Sequence, residues 1–162
     1  MTNVAEVSAE EYLCTRIRRA EQALMAHHEA VLRTYGLTMT QYAVLLTLSR
    51  DDGMSGAQLA RACGVTQQSM ATVLTGMQAK GLIDRQPSPV HAKVMIADLT
   101  DAGRSLLDKA YQEVNVLEKA FVDKFTPAEH RQFCDLLDRA TETLVEQTLR
   151  PPKPASARPP ST

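Results

Sequence analysis

The spacing of apolar residues along the chain predicts a mostly helical protein. Residues 9–35 carry apolar side chains at alternating intervals of three and four, which is the repeat of one face of an α-helix. The same spacing recurs over 41–49, 55–63 and 66–80, and twice more within 100–149. We therefore expect six helices and a mainly α fold.

Two short strands are expected after the fourth of these helices. Residues 82–85 and 94–99 have the composition of strands, and they flank a proline-rich connection at 86–91. Gly64 separates the third helix from the fourth, and Gly81 ends the fourth. A helix-turn-helix followed directly by a two-stranded hairpin is a winged helix-turn-helix, which is the fold class that the pattern predicts.

The starts of the helices are marked by capping residues. Thr38 with Gln41 and Ser55 with Gln58 have the spacing of a capping box, in which each side chain bonds the other residue's backbone N–H. Simpler caps are expected at Thr66, Thr100 and Thr126.

Composition narrows the class of protein. Of the 162 residues 44% are hydrophobic, but only 4% are aromatic and none is Trp, so the core must be aliphatic. No signal peptide or membrane span is recognisable, and we expect a cytoplasmic protein. Neither a common catalytic motif nor a metal-binding spacing occurs, so we expect no enzyme, cofactor or metal. Three widely spaced cysteines suit reduced thiols.

Charge is unevenly distributed along the chain. Residues 55–104 hold five lysines and arginines against three acids, a net charge of +2, whereas 105–149 hold five against nine, a net charge of −4. The middle of the chain is thus better suited to an anionic partner. Yet residues 64–77, GVTQQSMATVLTGM, which contain most of the fourth helix, carry no charge at all.

Several short runs carry a family resemblance. They are Gly36-Leu37-Thr38 with Gln41-Tyr42, Leu59-Ala60, Gly64-Val65-Thr66-Gln67-Gln68-Ser69, Lys80-Gly81-Leu82-Ile83-Asp84-Arg85 and Leu99-Thr100-Asp101-Ala102-Gly103-Arg104. In order and spacing they resemble the MarR family of bacterial transcriptional regulators, over roughly residues 10–149.

The resemblance implies a homodimer that binds a pseudopalindromic site on double-stranded DNA. Helices at about 9–35 and 100–149 would interlock with those of the partner, and about 37–99 would form the winged-helix DNA-binding region. Residues 1–149 would be one domain, followed by a flexible proline-rich tail at 150–162. The expected function is that of a repressor released by a small-molecule effector. A winged helix that contacts only other proteins is the alternative.

The fourth helix would read base edges while other groups hold the phosphates. Gln67 and Gln68 each offer the donor and acceptor pair that suits adenine, although a merely solvated first turn would look the same. Phosphate attraction would come from side chains outside that uncharged helix. The predicted DNA-binding residues are Ser55, Arg61, Thr66, Gln67, Gln68, Ser69, Thr72, Arg85, His91 and Lys93.

The wing departs from the family pattern. Members usually carry Asp-x-Arg there, whereas this chain has His91-Ala92-Lys93. Lysine keeps the positive charge but lacks the planar guanidinium, so we expect a looser contact with the minor groove. Thr72 and Gly76 also stand where members often have arginine.

Effector and redox sites are less clearly marked. The family's pockets lie between the dimer helices and the winged domain, which makes Arg16, His27, His28 and Tyr42 candidates for ligand contacts. Adjacent residues diverge around a helix, so the two histidines are poorly placed to share a metal ion. Cys14 lies where a peroxide-sensing branch of the family has its reactive thiol, and redox release through it is an alternative.

Overall fold

The computed structural model describes residues 12–149, which contain six helices and three short strands. The helices are α1 (Leu13–Thr34), α2 (Met39–Leu48), α3 (Gly56–Ala62), α4 (Gln67–Ala79), α5 (Asp101–Val122) and α6 (Pro127–Leu149). The strands are β1 (Met54–Ser55), β2 (Ile83–Pro87) and β3 (Met95–Leu99). The predicted mainly helical, winged fold is confirmed. The start of the first predicted helix and the tail at 150–162 lie outside the described residues.

The chain divides into two compact units, one ending at Leu117 and the other beginning at Glu118. The first unit holds α1 to β3 and most of α5; the second holds the end of α5 and all of α6. Within residues 12–149, no helix combines the length and the apolar character needed to cross a bilayer.

Both predicted capping boxes are present. Thr38 Oγ1 accepts the Gln41 N–H at 3.2 Å, and the Gln41 side chain accepts the Thr38 N–H at 3.1 Å. Ser55 and Gln58 exchange the same two bonds at the start of α3. These bonds satisfy N–H groups that a helix start leaves without partners. Because the residues that form them are three positions apart, the sequence predicts the starts of α2 and α3.

The sheet has one strand more than the predicted hairpin. Its order is β1-β3-β2, and all pairings are antiparallel. β1 consists of two residues, too few to show an alternating pattern in the sequence. The expectation that Gln86 and Pro87 belong to the loop is wrong, because β2 continues through Pro87. A proline is tolerated there because β2 is an edge strand, where a missing N–H costs no ladder bond.

The core of the first unit is aliphatic apart from Tyr42, close to what the composition predicts. Its fully buried members include Leu32, Leu45, Leu48, Leu59 and Met70. In α1 the buried residue is Leu32, which is not part of the stripe that contains Leu13, Ile17, Ala20, Leu24, His27 and Val31. Val31 of this stripe packs against the core at a partly buried position, whereas Leu13 and Leu24 are exposed. Part of the apolar stripe of α1 is therefore left outside the core of its own chain.

The start of α5 lies directly against the turn between α4 and β2. Thr100 Oγ1 donates to the Gly81 carbonyl at 2.7 Å and accepts the Gly103 N–H at 3.0 Å. Gly103 is buried, and a Cβ built on it would overlap the Leu82 carbonyl oxygen. The close approach of α5 to this turn thus requires a residue without a side chain.

We expect Gly103→Ala to lower the free energy of unfolding by about 1–3 kcal/mol, because the backbone carbonyl it meets cannot move aside as a side chain would. Gly76→Ala is the matched control: a Cβ there meets nothing within 4 Å. In α4 that substitution should stabilise the protein by roughly 0.5–1 kcal/mol. Urea denaturation measures both; equal effects of the two substitutions would contradict the close approach.

Candidate nucleic-acid interface

Helix α4 has one buried apolar face and one exposed polar face. Met70, Leu74 and Met77 are buried in the core. The exposed positions of the helix are Gln67, Gln68, Ser69, Ala71, Thr72, Thr75, Gln78 and Ala79. The uncharged stretch of the sequence therefore presents a polar surface of amides and hydroxyls.

The first turn of α4 is rigidly capped. Thr66 Oγ1 accepts the Ser69 N–H at 3.1 Å and donates to Ser69 Oγ at 2.9 Å. Thr72 Oγ1 donates its proton to the Gln68 carbonyl at 3.3 Å, so it can offer a ligand its acceptor lone pairs and its methyl group. Within residues 12–149 the side chains of Gln67 and Gln68 have no hydrogen-bond partner, so both amides are available to a partner molecule.

The turn between α3 and α4 sets the angle of the two helices. Gly64 has a φ of 65°, a conformation that side chains disfavour, and Val65 N–H donates to the Ala60 carbonyl at 3.0 Å. At the start of α3, Ser55 Oγ donates to Gln58 Oε1 at 2.7 Å. Phosphate oxygens accept hydrogen bonds, so a predicted contact of Ser55 with phosphate requires its proton to leave this internal bond.

The wing loop between β2 and β3 is held by its own backbone. Ser88 N–H donates to the Val94 carbonyl at 2.7 Å, and Ser88 Oγ accepts the N–H groups of Val90 and His91 at 3.3 Å each. His91 and Lys93 are both exposed in this loop. The structure thus places the cation that the sequence predicts for the minor groove in the wing loop, accessible to a partner.

The other cations differ in availability. Arg61 is exposed in the last turn of α3. Arg85 is half-buried in β2, where it pairs with the buried Ala97 of β3. Lys80 Nζ donates to the Gly36 carbonyl at 2.9 Å, so this cation joins the end of α4 to the turn after α1. Arg61 and Lys93 are therefore the more accessible predicted phosphate contacts.

The predicted effector residues differ in their surroundings. Tyr42 is buried in the core, and its pKa is raised by burial and, to a smaller extent, by Tyr111. Arg16 is exposed. The rings of His27 and His28 have centroids 6.2 Å apart, and His27 Nε2 is buried with no hydrogen-bond partner among the described residues. A shared site for the four residues stays a prediction.

A groove of about 260 Å³ in the first unit lies between the end of α2 and the start of α5. It is lined by Leu46, Ser49, Arg50, Arg104, Leu107, Asp108 and Tyr111. None of the four predicted effector residues is among them. Sequence reasoning missed this groove, because its two arginines are 54 positions apart and only the folding of the first unit brings them to one surface.

Nothing at the cysteines supports the redox alternative. Cys14 is exposed in the first turn of α1. Cys63 is half-buried; burial raises the pKa of its thiol, and a hydrogen bond with Thr47 opposes that shift. Cys134 is exposed, with its Sγ 3.9 Å from His130 Nε2.

Sequence comparison identifies the family. A model described as the MarR family matches residues 35–93. The HTH-type transcriptional repressor Rv2887 of Mycobacterium tuberculosis is 31% identical over 121 residues, covering 75% of this chain and 87% of that protein. The chain belongs to the MarR family of transcriptional regulators. The resemblance drawn from the short runs is confirmed.

Solved structures of MarR-family proteins share the fold. The crystal structure of Rv2887 has a TM-score of 0.65 and 28% identity, covering 83% of this chain and 97% of its own. The MarR family regulator SP03579 reaches a TM-score of 0.77 at 23% identity, covering 83% and 89%. PcaV of Streptomyces coelicolor, solved with its natural ligand, reaches 0.68 at 23%, covering 88% and 98%. The winged-helix architecture is thus common to all four.

We expect Thr66→Ala to lower the free energy of unfolding by about 1 kcal/mol, because it removes the oxygen that accepts the Ser69 N–H at the start of α4. Thr75→Ala in the same helix is the control. Thr75 is exposed and bonds only the carbonyl of Ala71, so its loss should change stability by less than about 0.5 kcal/mol. Urea unfolding at one fixed protein concentration compares them; an equal loss from both would argue against the cap.

Proposed function

We propose that this MarR-family protein is a homodimeric repressor that binds a pseudopalindromic operator through α4 and the wing, and that a small molecule releases it. The observation that carries the proposal is the exposed polar face of α4. The amides of Gln67 and Gln68 are free, while exposed cations lie outside the helix, at Arg61 and Lys93.

This division of labour explains how an uncharged helix can read DNA. Phosphate contacts position a protein on the duplex, and contacts with base edges supply the specificity. A glutamine amide can bond the N6 and N7 positions of adenine in the major groove. Lys93 and Arg61 supply attraction that is independent of sequence, so α4 needs no charge of its own.

The exposed apolar faces of the outer helices support the dimer. No described side chain of α6 is buried, and Leu136, Leu144 and Val145 are 49%, 51% and 54% exposed. In the first unit Leu13 is 65% exposed. A monomeric protein rarely exposes so much apolar surface in contiguous stripes. A second copy of the chain would bury these faces and hold two copies of α4 on one duplex.

The groove beside Arg50 and Arg104 supports control by a small molecule. Two guanidinium groups and one carboxylate, that of Asp108, line it together with a phenol, a hydroxyl and the apolar side chains of Leu46 and Leu107. That mixture suits a small anion with an apolar body. The structure of PcaV contains that regulator's natural ligand. The alternative to DNA binding is a winged helix that contacts only other proteins, and the DNA-binding experiments below distinguish the two.

Mutations can separate base recognition by α4 from phosphate attraction by the wing. Gln68→Ala should cost about 1–3 kcal/mol on the best operator and relax the preference at one base position in each half-site, because one base contact is lost. Lys93→Ala should weaken operator and random DNA alike, since it removes a phosphate contact. Binding to a randomised operator library at two salt concentrations measures both effects.

Gln78→Ala is the control for this experiment, since Gln78 lies at the other end of α4 and is also exposed. Half-site centres should be about 10 base pairs apart in the selected sequences, one helical turn. Unchanged sequence preference in both Gln67→Ala and Gln68→Ala would show that α4 does not read bases. Absence of DNA binding by the unmodified protein at low salt would favour the protein-interaction alternative.

The dimer should persist at micromolar concentration, because separating the chains would return the apolar faces of α1, α5 and α6 to water. Sedimentation velocity over a dilution series measures this directly. Leu144→Asp and Val145→Asp should each shift the equilibrium toward monomer, whereas Glu142→Lys, on the same exposed helix but not apolar, should leave it largely unchanged. A stable monomer of the unmodified protein would contradict the dimeric repressor.

A further inference from the structure

The carboxylate of Asp98 connects the wing to the helix-turn-helix. Its Oδ1 accepts the backbone N–H of Gly53 at 2.6 Å, and its Oδ2 accepts the Gln86 Nε2–H at 3.1 Å. Gly53 immediately precedes β1, and Ser55 of β1 caps α3. Gln86 lies in the part of β2 that leads into the wing loop. One side chain therefore joins both neighbours of the central strand.

These bonds lie on the face of the sheet opposite the core. Ile83, Arg85 and Ala97 share the inner face by register, while Asp84, Gln86 and Asp98 share the outer one. Asp84 is directly opposite Asp98, and its side chain forms no hydrogen bond among the described residues. Two like charges facing each other destabilise a strand pair, and an acid near DNA repels phosphate. Asp98 therefore carries an electrostatic disadvantage that its two hydrogen bonds offset.

We propose that Asp98 is a positioning residue that sets the wing relative to α3 and α4, so that Lys93 and the recognition helix contact the same DNA site. The proposal rests on the DNA-binding function proposed above. Lys93 and Asp98 are on the same hairpin, five residues apart, and the Gln86 bond is formed just before Pro87 ends β2. Without this bond the wing loop keeps its internal Ser88 contacts but loses its side-chain tie to β1.

The charge of Asp98 makes the test decisive, because a positioning role and simple electrostatics predict opposite changes in operator affinity when the residue is replaced by alanine. Asp98→Ala removes a negative charge, which by itself should tighten DNA binding. We expect weaker operator binding instead, with a salt dependence shallower by roughly one unit of slope per protomer, as expected when the contact of Lys93 with phosphate is lost. Lys93→Ala should add little further loss in an Asp98→Ala background, since the contact is already compromised.

Two substitutions isolate the hydrogen bonds from the charge. Asp98→Asn keeps an oxygen for the Gly53 N–H and can donate its amide to Gln86 Oε1, so it should restore operator affinity and salt slope to those of the unmodified protein. Asp84→Ala removes the same charge from the facing residue and should bind as well as the unmodified protein or more tightly. Gln86→Ala, which removes only the wing-side bond at an exposed position, should reproduce the direction of Asp98→Ala if that variant folds poorly.

A measurement without DNA tests the positioning independently. Amide hydrogen exchange should accelerate at Gly53 and over residues 88–94 in Asp98→Ala but not in Asp98→Asn or Asp84→Ala. This result would stand even if the unmodified protein bound no DNA, an outcome that would contradict the proposed function alone. The inference is overturned if Asp98→Ala behaves like Asp84→Ala in both exchange and binding, or if the effects of Asp98→Ala and Lys93→Ala simply add.

Discussion

Burial of one face of α4 is the constraint on which the rest of the first unit depends. Met70, Leu74 and Met77 are removed from water against an aliphatic core, and this fixes the rotation of the helix about its axis. The opposite face is thereby fixed as well. Gln67, Gln68 and Thr72 point outward because the helical repeat places them away from the buried stripe.

Specific hydrogen bonds and a tight turn hold α4 in place in addition to its apolar packing. Thr66 caps its first turn, Gly64 allows the sharp turn before it, and Lys80 bonds the Gly36 carbonyl at its end. A rigid helix loses little conformational freedom when it enters a groove, which favours sequence readout. The cations that the proposed function needs are placed on α3 and on the wing, so in that proposal phosphate attraction and base readout would occupy different parts of the unit.

The outer helices present the opposite situation, since α1, α5 and α6 carry apolar residues that their own chain leaves exposed. Leu107, Ala110 and Val114 of α5 are buried, whereas Val116 and Phe121 of the same helix are 60% and 46% exposed. Phe121, Phe125 and Phe133 cluster in the second unit, with the last two rings stacked 5.6 Å apart. A partner chain that covered these surfaces would remove their apolar side chains from water, which would explain why they are apolar.

Local signals in the sequence determined the helices, their capping boxes, the hairpin and the family, because each depends on residues within a few positions of one another. Tertiary structure alone decided what depends on distant residues. The two-residue strand β1 exists only through its pairing with β3. The ammonium group of Lys80 is engaged by the Gly36 carbonyl, and Arg50 and Arg104 line the same groove. Asp98 looks in the sequence like one more acid in a basic segment, and its two hydrogen bonds appear only when β3 lies between β1 and β2. Hydrogen bonds and grooves between residues dozens of positions apart leave no periodic trace in the chain, since they are created by packing.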